Sequence, residues 1–400
     1  MTEQTKSAAG DPADLPLAGL RIVDFSRLLP GPWCTQTLAD MGADVIKIEQ
    51  PDIGDYSRFN PPTYEEVGAY FNAVNRNKRS IALDLTQDDD YALARRLIAG
   101  ADVVVESFRA GVTENLKIDY ATVSADHPEL IYCSVTGLGN PSAMGRVPGH
   151  DLSVQAVAGA LGKNLKDGEV PPMPPFQAGD FTAAIYAAIG ILGAHIRRQK
   201  TGRGCYLEAP MYDSLICSSN VAMTGPLARA AGYAGTPEME TWGANPRYSL
   251  YMTKDGKSAA VCLLEMRAWH KFCRHIGRED LIYDEDWEHR HTPHGDLADE
   301  FRQAIAGFCM SRSRDDLAEE MKAAGISITP VYTPDEALHS PHAQERGMLR
   351  VVDHPTGGKV AYLVDPLIRA GLADPERRPS PRLGEHDEEI RREISGGGED

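Results

Sequence analysis

Four hundred residues exceed what one compact core usually serves, so two domains are expected. A net charge of −17, with 42% hydrophobic and 25% charged residues, describes an ordinary acidic globular chain and argues against a nucleic-acid partner, which needs a basic surface. No uninterrupted apolar run of about 18 residues occurs, so no membrane span is expected, and seven cysteines without a C-x-x-C pair suit free thiols in a reducing cytoplasm.

The first fifteen residues, MTEQTKSAAGDPADL, lack the apolar core of a signal peptide and are predicted to be a disordered lead-in, like the SGGGED tail. From residue 19, short β-branched runs alternate with helical ones. LRIVDF is predicted as a strand, PWCTQTLADMG as a helix ending at Gly42, and ADVIKIE as a strand. RSIALDL follows as a strand, DYALARRLIAG as a helix, and ADVVVESF and LIYCSVTG as buried strands. A helix starts at His150, a long one runs from Asp180 to about Arg198, and GCYLEAP leads into MYDSLICSSNVAM. This alternation predicts a parallel, mostly buried sheet covered by helices on both faces, a doubly wound α/β domain.

After residue 226 the texture changes. GPLARAAGYAGTPEMETWGANPR is Gly/Pro-rich and reads as a linker. YSLYMTKDGKSAAVCLL is a hairpin candidate turning at Asp255-Gly256, and helices are predicted over 266–276, 298–309 and 313–323. Residues 227–334 therefore form a smaller α+β domain. The final segment, MLRVVDHPTGGKVAYLVDPLIR and its Pro-rich tail, reads as extended and is expected to return to the first domain, giving a large domain of 16–226 and 335–392.

GLGNPSAMG is the nearest candidate for a dinucleotide fingerprint, but Ser142 stands where the third glycine belongs and Pro141 interrupts the helix, so a nicotinamide or flavin site is not expected. Neither a P-loop nor a G-x-S-x-G elbow is present. His289, His291 and His294 in WEHRHTPH could be metal ligands, but a Pro-interrupted loop offers no rigid geometry, and a solvated loop is the expectation. Arg76, Lys78 and Arg79 of RNKRS, and Arg109 after VVVESF, could hold phosphate or simply form a solvated rim. His150 and Asp151 follow a Pro-Gly turn, and Asp151 can cap the next helix. Asp180 opens another helix, whose N-terminus should keep it ionised at neutral pH, ready to act as base or nucleophile, while a histidine exchanges protons near neutrality. Glu265 closes the apolar strand SAAVCLLE, where a carboxylate usually faces water.

LAGLRIVDFSRLLPGPWCTQTLADMGADVIKIEQP closely resembles the opening of the family III CoA transferases (CaiB/BaiF), a group that includes carnitine CoA-transferase, formyl-CoA transferase and α-methylacyl-CoA racemase. NRNKRSIALDL, ADVVVESFRAGV, the Gly-Asp pair before a long apolar helix, RQKTGRGCYLEAPMYDS and RLGEHDEEI extend the resemblance from about residue 16 to 390. The resemblance implies a large Rossmann-like domain built from both chain ends, a smaller domain between, and an interlocked homodimer with its active sites between large and small domains of different subunits. It implies an acyl-CoA substrate, with coenzyme A entering as part of that substrate and no other cofactor required.

Two chemistries divide the family. In its transferases the aspartate matching Asp180 attacks a thioester to form a mixed anhydride. In its racemases that aspartate and a histidine matching His150 move protons at the α-carbon, with a glutamate matching Glu265 paired to the histidine. His150, Asp180 and Glu265 together make this chain most like the racemases, with inversion of a 2-methylacyl-CoA expected and CoA transfer between carboxylic acids as the alternative. Resemblance places CoA contacts at Gln50, Leu85, Thr86, Ser107, Phe108, Arg109, Gly149 and Asp151. Thr182–Ala184 and the residues around 222–245 are expected to shape the acyl pocket.

Overall fold

The computed structural model describes residues 12–164, 168–233, 245–282 and 297–395. Contacts divide the chain into two compact units, Met1–Ser218 with Gln344–Asp400, and Ser219–Ala343.

In the first unit, strands β1 (Arg21–Asp24), β2 (Asp44–Glu49), β3 (Lys78–Ala82), β4 (Val103–Glu106), β5 (Ile131–Ser134) and β6 (Cys205–Glu208) form one sheet. Their order is β3-β2-β1-β4-β5-β6 and every pairing is parallel. Both faces are buried, which explains why the strands are almost continuously apolar. Ile22, Val45, Val103 and Ile131 point to one core, shared with Leu38 of helix α1 (Pro30–Asp40). Val23, Ile46, Val104 and Tyr132 point to the other, shared with Leu93 and Leu97 of a helix over Asp88–Ala99. The doubly wound expectation is met. The order reverses between β1 and β4, the point where open α/β sheets leave a crevice beyond their strand C-termini.

Helix α2 spans Ala69–Asn75, α3 Asp88–Ala99, α4 Asp151–Val157 and α5 Ala178–Thr201. Among the described residues α5 is the one helix long and apolar enough to cross a membrane by length and composition, although His195 and a basic last turn interrupt the apolar run. Its Ala183, Ala184, Ala187 and Ile191 nevertheless pack into the protein core. The chain's last segment begins extended, as expected, and departs from that reading only beyond residue 365. It makes an antiparallel hairpin, Leu349–His354 with Gly358–Leu363, and ends in a helix, Asp387–Ile394, whose Ile390 is buried beneath β3 and α3.

In the second unit, Tyr248–Met252 and Ser258–Cys262 form the expected hairpin, joined by Ile328–Pro330 in an antiparallel sheet. Helices Met266–His275, Leu297–Met310 and Arg314–Ala324 enclose Trp269, Phe272, Phe301 and Leu317. The expected linker is in part a helix, Thr224–Ala230, because its Leu-Ala-Arg-Ala run outweighs the glycines around it. Residues 234–244 of that linker and the WEHRHTPH histidines lie outside the described residues.

Candidate active site

A cavity of about 580 Å³ opens beyond the C-terminal ends of β1, β4 and β5. Arg27 to Pro30 line it after β1, Glu106 to Ala110 after β4, and Ser134 to Leu138 after β5. Gly149, His150, Asp151 and Asp180 complete the wall, so the histidine and the helix-end carboxyl open onto one cavity.

Two glycines deliver His150 there. A Cβ on Gly137 would sit 2.9 Å from Gly149 Cα, and one on Gly149 3.0 Å from Gly137 Cα, so only a glycine crossing brings these backbones together. Gly137 of GLGNPSAMG thus serves a chain crossing. His150 is the N-cap of α4; its N–H donates to Ser153 Oγ (3.1 Å), which donates back to the His150 carbonyl (2.7 Å). The imidazole stays exposed on the cavity wall.

Asp151 does not cap its own helix. Its Oδ1 accepts the N–H groups of Gly179 (2.7 Å) and Asp180 (3.2 Å), while Oδ2 accepts from Gln155 Nε2 (2.6 Å). Asp151 therefore satisfies orphan donors in the first turn of α5. Asp180 is the third residue of that helix rather than its cap. Its carboxyl is pushed up to about 7, first by burial and then by the charge of Asp151. The expectation of a fully ionised Asp180 is corrected here, because the donors that would have stabilised its anion are held by another carboxylate. Tyr70 of α2 also lines the cavity, and its phenol is pushed up by burial and by Asp180.

Of the expected CoA contacts, Ser107, Phe108, Arg109, Gly149 and Asp151 line this cavity, whereas Gln50, Leu85 and Thr86 do not. Leu85 packs against the core around α3, and Thr86 donates to Asp84 (2.7 Å). Glu265 belongs to the second unit, exposed at the N-cap of Met266–His275; the cavity is built from first-unit residues. Thr182 turns its hydroxyl back to the Ala178 carbonyl (2.8 Å), and Ala183 and Ala184 are core residues, so this stretch is not cavity wall.

The basic segment is neither phosphate site nor solvated rim. Lys78 Nζ pairs with Asp24 (3.1 Å), both completely buried. Arg79 pairs with Asp44 (2.6 Å), Glu389 (2.9 Å) and Glu393 (2.7 Å), and Arg76 with Asp40 (2.6 Å). Lys47, also buried, pairs with Asp55 (3.0 Å), whose carboxylate accepts the Leu28 N–H (3.2 Å). Leu28 has the left-handed φ of 64°. This buried network fixes the β1–α1 loop that forms one cavity wall.

Sequence reading missed Arg27, Tyr70, Glu106 and Tyr132 as wall residues. Arg27 and Glu106 stand at the ends of the two strands flanking the sheet's reversal, so the switch-point rule flags both. Buried Glu106 is pushed up to about 7 by its desolvation. Tyr70 carries no comparable signal. Among the described residues no group of three or more His, Cys, Asp or Glu is placed to hold a metal ion.

A parallel sheet of this order with an acid and a histidine at its switch point describes an α/β enzyme, and comparison gives the family. The model for CoA-transferase family III matches residues 17–387, and the chain belongs to that family. It is 33% identical to the succinyl-CoA:mesaconate CoA-transferase of Haloarcula hispanica, over 94% of this chain and 95% of that one. It is 30% identical to the succinate–glutarate CoA-transferase of Agrobacterium fabrum (95% and 96%) and 29% identical to the human α-methylacyl-CoA racemase (94% and 93%). A CaiB/BaiF family protein from Brucella suis superposes with a TM-score of 0.78 at 31% identity, covering 95% of this chain and 99% of that one. Transferases and racemases thus stand at similar distance, and an acyl-CoA substrate is consistent with both.

Proposed function

We propose that this protein is an acyl-CoA epimerase that inverts the α-carbon of a 2-methylacyl thioester, with His150 and Asp180 as proton carriers. The observation that supports this reading is their common cavity, in which burial and the Asp151 charge push the Asp180 carboxyl up to about 7. Such a carboxyl is populated in both forms at neutral pH, as a carrier working in both directions requires. The Asp180 carboxylate takes the α-proton, and the C–H electron pair moves onto the thioester oxygen as an enolate. Imidazolium at His150 returns a proton to the opposite face, and the pair re-forms the C–H bond. The reverse reaction exchanges the roles.

Coenzyme A enters as part of the substrate, and the chemistry requires no other cofactor. The family resemblance adds a homodimer in which Glu265 of the partner subunit orients His150. Ile185, Tyr186, Ile189 and Ile196 of α5, all exposed, give an apolar strip that a second copy would cover.

Two of the relatives above favour a second reading: transfer of CoA between carboxylic acids, Asp180 attacking the thioester carbonyl and expelling CoA thiolate to leave an acyl-aspartyl anhydride. One assay separates them. A chiral 2-methylacyl-CoA is incubated in deuterated water without an acceptor acid. Deuterium at the α-carbon with loss of optical purity is expected; no exchange, with CoA transfer once a free acid is added, rejects the epimerase. His150→Ala is expected to abolish exchange, whereas in a transferase it largely spares turnover.

A further inference from the structure

We propose that Asp151 is a positioning residue for the reactive carboxyl: its side chain clamps the first turn of α5 and, as a negative charge seated on the donors there, raises the proton affinity of Asp180. The inference rests on Asp180 being the reactive group, as proposed above, and it holds for either chemistry.

A helix N-terminus ordinarily stabilises a carboxylate in its first turn, through free N–H groups and the helix dipole. In α5 the N–H groups of Gly179 and Asp180 both point to Asp151 Oδ1, at 2.7 and 3.2 Å. Asp151 is itself fixed, because Gln155 Nε2 donates to Oδ2 (2.6 Å) and also to the Phe176 carbonyl (3.0 Å), the segment that enters α5. Little room remains at this junction: a Cβ on Gly179 would lie 3.1 Å from both Asp151 Oδ1 and Val154 Cγ1. Among the described residues no donor reaches the Asp180 carboxyl, so one carboxylate holds the helix end and the other stands beside it uncompensated.

The other groups around Asp180 do not offset that repulsion. Tyr70 of α2 is neutral at working pH, its phenol being pushed up. His150 and Arg27 line the same cavity without an ion pair to Asp180. No titratable side chain of α1 or of the helix Met211–Ser218, both packed on α5, lines it.

The test uses Asp151→Asn, which keeps an acceptor for the two N–H groups and removes the charge, and Asp151→Ser, a smaller neutral acceptor should the amide not fold. Two readouts are taken on the full chain. One is the acid-side midpoint of the pH–rate profile for α-proton exchange. The other, independent of turnover, is the titration of the Asp180 carboxyl carbon by 13C NMR, assigned by its loss in Asp180→Asn. Both midpoints are expected to fall by about half a unit or more, raising the carboxylate fraction at pH 5.5 about threefold. A clamp that is only structural lowers the melting temperature and leaves both midpoints in place, which overturns the proposal. An NMR midpoint that falls while neither the wild type nor the variants exchange protons supports the role of Asp151 and sinks the epimerase. Exchange with unmoved midpoints in both variants does the reverse.

Discussion

Two clusters of buried charge lie in the same unit and come to opposite ends. Around Asp24, every acid meets a cation: Lys78 and Lys47 are nearby, and Ser26 and Thr35 donate to the carboxylate. Burial alone would push Asp24 up, yet these partners outweigh it and hold the group down at about 2. Around Asp180 burial acts the same way, but the nearest charge is another carboxylate, and the group rises to about 7. Burial acts alike on these two groups; between them the sign of the neighbouring charge makes the difference. Asp24 stays ionised, within a network that holds a loop in shape. Asp180 changes its protonation near neutrality, as the proposed chemistry on a carbon acid requires.

Substitution should separate the clusters by kind and then by sign. The largest effect is expected from Asp180→Asn, which removes the carrier and should lower α-proton exchange by about a thousandfold, within the usual range for a lost acid–base group; deuterium incorporation followed by mass spectrometry checks it. Lys78→Met leaves Asp24 buried with one cation fewer, and a loss of about 3 kcal/mol in urea unfolding is expected.

Asp180→Asn should move stability the other way. The wild-type group keeps its proton in the folded state up to about pH 7, whereas the unfolded chain releases it near the ordinary 3.8. Folding therefore holds back a proton across that window, and stability falls as pH rises through it. Asparagine removes that penalty. The variant should be more stable than wild type at pH 8 by about 2 kcal/mol, a figure reduced for the group's partial exposure, and the gain should vanish toward pH 4. Equal stability of the two proteins at pH 8 would contradict the contrast between the clusters.

The sheet was legible because its strands are β-branched runs buried on both faces, and such runs carry their own signal. The hairpin at Asp255-Gly256 was legible for an equally local reason. The site was only partly so. Gly149, His150 and Asp180 announce themselves as glycine-preceded helix starts, but the state of Asp180 depends on Asp151, 29 positions upstream and brought near by the glycine crossing. Charge along the chain misled for the same reason. RNKRS looks like an exposed basic patch, yet its partners Asp24, Asp44, Glu389 and Glu393 come from the start and the end of the chain. Long-range pairing decides both outcomes, and residue spacing does not encode it.

Arginine gives the finest version of the contrast. Arg79 is held by three carboxylates inside the first unit, whereas Arg109 is exposed on the cavity wall, with no acid within ion-pair distance among the described residues. A free guanidinium beside Ser107 and Phe108 suits a phosphate or carboxylate of an acyl-CoA. Arg109→Ala is therefore expected to raise KM for the thioester about fivefold at low ionic strength, with kcat nearly unchanged, because an exposed charge contributes about 1 kcal/mol to binding. Salt screens such a contact. The difference between variant and wild type should shrink as sodium chloride is raised toward 0.5 M (on the order of a 4 Å Debye length), and a KM ratio that ignores salt would move Arg109 from ligand contact to scaffold.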